Sequence, residues 1–202
     1  MIVVTGGAGF IGSNLVAALA ARGITNVAVI DRFGDGEKWQ NLAKRELATL
    51  VAPENALAFL DQHAAEIDVI FHLGAISATT ERDVDRIVAN NVALTLDLWR
   101  WSSWRGARLI YASSAATYGD GAEGFDDDWS AEALQRLKPM NLYGFSKHLF
   151  DLVVADRFAK GAKLPPQWAG LKFFNVFGYT KKLQVLSTSE GSIRYVSTLG
   201  EG

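Results

Sequence analysis

A run of glycines close to the start constrains this chain more than any other feature. Ile2-Val3-Val4-Thr5 is a short β-branched stretch, Gly6-Gly7-Ala8-Gly9-Phe10-Ile11-Gly12 follows at once, and Leu15, Val16, Leu19 and Ala20 then recur at helical spacing until Gly23. An apolar run without alternation fits a strand covered on both faces, and Gly23 ends the helix. Gly6, Gly9 and Gly12 stand three apart, between strand and helix. Glycine there permits a tight turn, lets the backbone approach a pyrophosphate and lets the helix pack closely on the strand. The helix N-terminus adds unpaired N–H groups and the positive end of its dipole. The next strand, Val27-Ala28-Val29-Ile30-Asp31, ends on an acid at the place where a ribose 2′-hydroxyl would be held. Arg32 beside it and Lys38 downstream suit a 2′-phosphate instead. The expected cofactor is therefore NADP, with NAD as the alternative.

Strand and helix patterns alternate along the rest of the chain. Residues 38–50 read as mixed and helical, with a short strand near 47–51, and Pro53-Glu54 opens a helix running to about Glu66. Val69-Ile70-Phe71-His72-Leu73 is a strand closed by Gly74-Ala75. A long helix over about 82–104 carries Ile87, Leu94, Leu98 and Trp101 on one face. Arg108 to Ser113 is a strand, 119–139 an acidic loop with one short helix near 131–137, and 143–159 a helix. Leu171-Lys172-Phe173-Phe174 is the last strand. The alternation predicts an α/β fold of Rossmann type, a doubly wound parallel sheet with helices on both faces and right-handed crossovers.

Composition narrows the function. With 20 basic against 22 acidic residues there is no cationic excess for binding nucleic acid through its phosphates. The absence of cysteine removes disulfides, Cys-ligated zinc and thiol nucleophiles. His63, His72 and His148 lack metal-ligand spacing, so no metal site is expected. No apolar run is long enough to span a bilayer and no basic segment precedes Ile2, so a cytoplasmic protein without a membrane partner is expected.

A second chemical constellation lies at Tyr143-Gly144-Phe145-Ser146-Lys147. Residues four apart share a helix face, which sets the Lys147 ammonium near the Tyr143 phenol and predicts a phenol displaced toward neutrality. Ser113 and Ser114 close the strand at 108–113, at the edge where open α/β sheets bind ligands; local capping is the structural alternative for both. Asp126-Asp127-Asp128 reads as solvated surface. Trp99, Trp101 and Trp104 read as core packing or a helix–helix dimer contact, and His72 as a packed histidine with one hydrogen bond.

Together these stretches, with His72-Leu73-Gly74-Ala75 and Ser113-Ser114-Ala115-Ala116-Thr117-Tyr118-Gly119, resemble the extended short-chain dehydrogenases/reductases of the NAD-dependent epimerase/dehydratase family. More narrowly, Asp35-Gly36-Glu37-Lys38-Trp39-Gln40-Asn41-Leu42, Ser77-Ala78-Thr79-Thr80-Glu81 and Lys172-Phe173-Phe174-Asn175-Val176-Phe177-Gly178 resemble the ADP-L-glycero-D-manno-heptose 6-epimerases of lipopolysaccharide biosynthesis. The resemblance implies that Phe10, Ile11, Asp31, Arg32, Lys38, Leu73, Gly74, Ala75, Asn90 and Val176 surround the dinucleotide. It implies that Ser77, Ser114 and Asn175 meet a nucleotide-sugar substrate. Ser114 would hydrogen-bond the reacting oxygen, Tyr143 would be the acid/base, and Lys147 would hold the nicotinamide ribose and lower the Tyr143 pKa. The implied reaction is transient oxidation and re-reduction at C6 of the heptose, an isomerisation with no net redox change. Full-length members are expected to be homo-oligomers.

The likeness covers residues 1–178, read as the NAD(P)-binding domain. Tyr179 stands where such proteins carry proline, and Gln184 where they carry a second lysine, with Lys181 and Lys182 near. Residues 179–202 read as an atypical tail in place of a substrate domain. On that reading the chain is a truncated form with little turnover, or a non-catalytic NADP-binding remnant. Another nucleotide-sugar epimerase, dehydratase or reductase is the alternative activity.

Overall fold

The computed structural model describes residues 1–176; the expectations placed on 179–202 lie outside the described residues. The described residues divide into two compact units, Met1–Gly74 with residues 175–176, and Ala75–Phe174.

In the first unit β1 (Ile2–Thr5) leads through the glycine turn into α1 (Phe10–Ala20), then β2 (Val27–Ile30), β3 (Thr49–Val51), α2 (Ala56–Gln62) and β4 (Val69–His72). All four strands pair in parallel in the order β3-β2-β1-β4, with Ile2 opposite both Val27 and Val69. The chain winds outward from β1 to β3 and then returns to the far side of β1. The carboxyl ends of β1 and β4 therefore flank a topological switch point, where open α/β sheets bind ligands. Val3, Val4, Val27, Ala28 and Val29 are completely buried, as expected of strands covered on both faces. Val4, Val16, Leu19, Val27, Val29 and Leu42 form one core, with Phe33 and Leu47 packed on it. Two expected helices are shorter than their patterns suggested. Between Asp31 and β3 there is only a 3-10 turn over 37–41, and α2 ends at Gln62 rather than near Glu66, after a 3-10 turn opened by Pro53.

In the second unit α3 (Val84–Ile87) and α4 (Leu94–Arg105) are joined by a π-helical segment, 88–93, so the expected single helix over 82–104 is corrected to three pieces. Then come β5 (Arg108–Ser114), a 3-10 turn over 115–118, α5 (Ala131–Arg136), α6 (Leu142–Ala159) and β6 (Trp168–Phe173). Strand β6 starts three residues before the expected Leu171, because Trp168, Ala169 and Gly170 pair in parallel with Leu109, Ile110 and Tyr111. Gly170 has a packing reason: a Cβ there would lie 2.4 Å from the Tyr111 hydroxyl. The core of this unit is aromatic. Trp99 is completely buried and meets Tyr111, Phe150 and Trp168 edge-on at 5.2–6.4 Å between centroids, an arrangement favoured by the ring quadrupoles. Trp101 is also buried, whereas Trp104 is 73% exposed, with the Lys163 ammonium over its ring. Among the described residues no helix is long and apolar enough to cross a membrane.

Candidate active site

The glycine turn leaves no room for a side chain at Gly6 or Gly12. Gly6 takes φ +67°, and a Cβ on it would lie 2.6 Å from the backbone of Gly74 at the end of β4. A Cβ on Gly12 would lie 2.2 Å from the Gly6 carbonyl oxygen. Gly9 caps α1 without a side chain, which leaves the first-turn N–H groups of Phe10, Ile11 and Gly12 without an intrahelical acceptor. The turn is pinned from two directions. The Ala8 N–H donates to Asp31 Oδ2 at 2.8 Å, and Asn41 Nδ2 donates to the Ala8 carbonyl at 2.8 Å. Asn41 went unnoticed in the sequence because its role depends on a contact 33 residues away.

Asp31 is already engaged. Besides Ala8 it accepts from the Arg32 N–H at 2.7 Å and from Lys38 Nζ at 2.5 Å, and its side chain is 8% exposed. Lys38 also reaches the Arg32 carbonyl, while the Arg32 guanidinium pairs with Glu54 in solvent. Thus Asp31 and Lys38 pair with each other, and the Arg32 side chain is directed to Glu54. At the end of β4, His72 is buried and shares a 2.7 Å hydrogen bond with Thr5 Oγ1, which also accepts from the Gly74 N–H. Leu73 N–H donates to the Thr5 carbonyl. His72 is thus a packed residue, as the sequence suggested. Asn175 is exposed and Val176 half-buried.

In the second unit, Asn141 caps α6 by accepting from the Gly144 N–H at 2.8 Å. A Cβ on Gly144 would lie 2.6 Å from the Ala116 carbonyl, so this glycine lets α6 approach the turn after β5. That approach sets the Tyr143 phenol beside Ser114, whose hydroxyl acts to favour the phenolate. Ser114 also caps the 115–118 turn by accepting from the Ala116 N–H at 3.1 Å, as its capping reading expects. Ser113 instead donates to Asp151 at 2.7 Å. Ala75 and Ser77 are exposed. Between them, Ile76 is held on both backbone atoms by Asn91, which also donates to Ser146 on α6. The expected Asn90 bonds back to the Arg86 carbonyl. The widened π turn sets the buried Asn91 inward, and sequence offers nothing to distinguish two adjacent asparagines.

The electrostatics correct one expectation. The Tyr143 phenol lies above, not below, its ordinary value. Burial disfavours the phenolate, and the Ser114 hydrogen bond only partly offsets this. Burial acts on Lys147 itself, bringing its ammonium down to about 8 against an ordinary 10.5, while Asp151 one turn on opposes the shift. Below these two groups lies a polar cluster that the sequence did not announce. Lys172 of β6 donates at 2.7 Å both to Asp151 Oδ2 and to Thr117 Oγ1. Tyr111, held protonated by burial and by Asp151, donates to Oδ1 of the same carboxylate at 3.1 Å. His148 is buried with Nδ1 unpartnered, and burial lowers its pKa. Asp126, Asp127 and Asp128 are exposed. Among the described residues no three His, Cys, Asp or Glu side chains come together as metal ligands.

Lys147 gives a stability test with a definite sign. Its folded-state value lies below its unfolded one, so between about pH 8 and 10.5 the unfolded chain binds more protons and stability rises with pH. At pH 7 the penalty of the buried charge is fully present, up to about 3 kcal/mol. Lys147→Met is therefore expected to raise the thermal midpoint at pH 7 by several degrees, about 2–4 °C per kcal/mol. The gain should shrink as the pH approaches 10.5. Calorimetry at pH 7 and pH 10 reads the difference, and a midpoint lowered at pH 7 contradicts it.

Comparison with known proteins agrees with this geometry. The family model described as "NAD dependent epimerase/dehydratase family" matches residues 2–194. The chain is 45% identical over 180 residues to an ADP-L-glycero-D-manno-heptose-6-epimerase of Fusobacterium nucleatum, a match covering 88% of this chain and 53% of the relative. Two solved structures show the same Rossmann-type α/β fold. The Helicobacter pylori ADP-L-glycero-D-manno-heptose-6-epimerase is 30% identical with a TM-score of 0.68, and the Thermotoga maritima UDP-glucose 4-epimerase with UDP-glucose is 27% identical with a TM-score of 0.68. Each alignment covers 88% of this chain and 56% of the other. The chain spans about half the length of the curated relatives it matches. Since the family match runs through nearly the whole sequence and takes in both the glycine turn and the Ser–Tyr–Lys set, the chain belongs to the NAD-dependent epimerase/dehydratase family.

Proposed function

We propose that this chain is the cofactor-binding and proton-transferring part of an NADP-dependent nucleotide-sugar epimerase that converts ADP-D-glycero-D-manno-heptose to its L-glycero epimer. The observation that supports this most is the close approach of α6 to the turn after β5, which sets Tyr143 beside Ser114 with buried Lys147 one turn further along the helix. The 45% identity to relatives of that name supports the choice of sugar.

The residues fit the cofactor. Open N–H groups at the start of α1 and a turn without side chains suit a pyrophosphate. Phe10, Ile11, Asp31, Lys38, Leu73, Gly74, Ala75, Asn90 and Val176 would hold the dinucleotide. The bound cofactor supplies a hydride acceptor that returns what it takes. Tyr143 accepts the C6 hydroxyl proton as the carbon is oxidised and gives it back on re-reduction, so protons and electrons balance over the cycle. Ser114 holds the reacting oxygen. Lys147 favours the phenolate while Tyr143 holds no proton. Ser77 and Asn175 would meet the sugar nucleotide. Residues 1–178 form the cofactor domain in this proposal, and cytoplasmic lipopolysaccharide assembly is the setting that fits.

Incubation with ADP-D-glycero-D-manno-heptose and catalytic NADP, followed by NMR, tests the reading. Little or slow product, with no accumulation of reduced cofactor, is expected of this chain, and rapid conversion would refute the remnant alternative. Steady accumulation of reduced cofactor would instead indicate a dehydrogenase. Cofactor choice gives a second expected result. With the Asp31 carboxylate already taking two N–H groups and Lys38, the cations beside it suit a 2′-phosphate. NADP should bind about 10-fold more tightly than NAD, the worth of roughly one charge-assisted hydrogen bond. Lys38→Ala should erase most of the difference in a calorimetric titration, and equal affinities in the unaltered protein would rule NADP preference out.

A further inference from the structure

Asp151 has no part in the reaction as described, yet more polar groups converge on it than on any residue of the Tyr–Lys pair. It is 6% exposed, lies one helical turn beyond Lys147 and two beyond Tyr143, and its carboxylate accepts from Tyr111, Ser113 and Lys172. Lys147 and Lys172 are both more than nine-tenths buried. Lys172 pairs directly with the carboxylate, while Lys147 stands one turn before it on the same helix and feels its charge without touching it. A buried cation without a counter-charge is unstable. We propose that Asp151 is a positioning residue for the Tyr143–Lys147 pair: its single carboxylate, held by Lys172 on β6 and by Tyr111 and Ser113 on β5, is the counter-charge one turn from Lys147 that sets how firmly the Lys147 ammonium is kept. The inference rests on reading Lys147 as the partner of Tyr143.

The surrounding charges make Asp151 the dominant influence. On α6 itself stand Tyr143, Lys147 and His148. Tyr111 and Ser113 approach from β5, Lys172 from β6 and Tyr118 from the 115–118 turn, with the Lys172 ammonium 5.1 Å from the Tyr118 ring centre. The other elements packed on α6 present Asp85 and Arg86 from α3 and Glu132 and Arg136 from α5, all exposed to solvent, where screening weakens them. No second buried carboxylate is present in this unit among the described residues. The Asp151 charge already acts to keep Lys147 protonated against the effect of burial.

The test follows the Lys147 titration directly in the full chain labelled with 13Cε-lysine, the resonance being identified by its loss in Lys147→Arg. Asp151→Asn is expected to lower the Lys147 midpoint by at least one pH unit, and Asp151→Glu to restore it to within half a unit. Tyr111→Phe removes a donor that competes for the carboxylate and should move the midpoint the other way, upward. It is the variant to rely on where Asp151→Asn does not fold. A general loosening of the core would not move one lysine in opposite directions. An unchanged Lys147 midpoint in Asp151→Asn overturns the proposal, as does an unchanged or lowered midpoint in Tyr111→Phe. Failure of the epimerase reading would appear elsewhere, as turnover indifferent to Tyr143→Phe, and would leave these titrations as they are.

Discussion

A Lys172→Met variant is expected to lose about 3–5 kcal/mol of folding stability, the usual result of removing one partner from a buried ion pair. Methionine keeps most of the apolar stem, so the loss reports charge and hydrogen bonding rather than a cavity. The removed ammonium donates at 2.7 Å to both Asp151 and Thr117, and its side chain is 8% exposed against 7% for its partner. Solvent therefore cannot replace it at either acceptor. The Asp151 carboxylate would keep Ser113 and Tyr111 as donors, but its direct ion-pair partner among the described residues would be gone. For a domain of this size the thermal midpoint should fall by roughly 10 °C or more. The double variant Asp151→Leu with Lys172→Met should be more stable than Lys172→Met alone, because it leaves no unpaired buried charge. If the two single losses simply add in the double variant, the pair is not the unit described.

Gly12→Ala should cost nearly as much and should also remove the cofactor site. The added methyl group would lie 2.2 Å from the Gly6 carbonyl oxygen and 2.7 Å from the Gly7 Cα, both backbone atoms with no rotamer to change. Relief requires either the turn or α1 to move, at a cost of about 1–3 kcal/mol or more for overpacking. A displaced α1 would no longer aim its first-turn N–H groups where the turn leaves space. NADP affinity is expected to fall at least about 100-fold, the equivalent of about 3 kcal/mol. Gly9→Ala is the internal control. Its Cβ would meet only the Gly6 carbonyl, at 3.1 Å, and Gly9 has an ordinary φ of −73°. Its thermal midpoint should move less than half as far as that of Gly12→Ala. Equal effects at the two glycines would mean that close packing is not why position 12 lacks a side chain.

The sequence was most informative where structure is local. The first strand, glycine turn and helix are fixed by neighbouring residues, and β1 and α1 end where the pattern does. The i, i+4 spacing of Tyr143 and Lys147 needed only a helix to share a face, and α6 runs from Leu142 to Ala159. The Asp31–Lys38 ion pair was not anticipated, although only seven residues separate the two, because no helix or strand period relates them. The weak patterns misled where propensity was not decisive. Residues 38–50 lack a sustained apolar period, so tertiary packing of Leu42 on the core selected a single 3-10 turn there.

By itself, then, the sequence determined the order of strands and helices, the glycine turn, and the identities of Ser114, Tyr143 and Lys147. Only the tertiary structure decided what surrounds them. Asn41 reaches the turn across 33 residues, Asn91 faces inward because the helix widens at 88–93, and Asp151 meets Lys172 across 21 residues and Tyr111 across 40. These pairings have no local period to betray them. They also reversed the expected direction at Tyr143. Spacing along a helix says which charges are near, but burial depends on what the rest of the chain packs over them, and here burial outweighs the neighbouring groups.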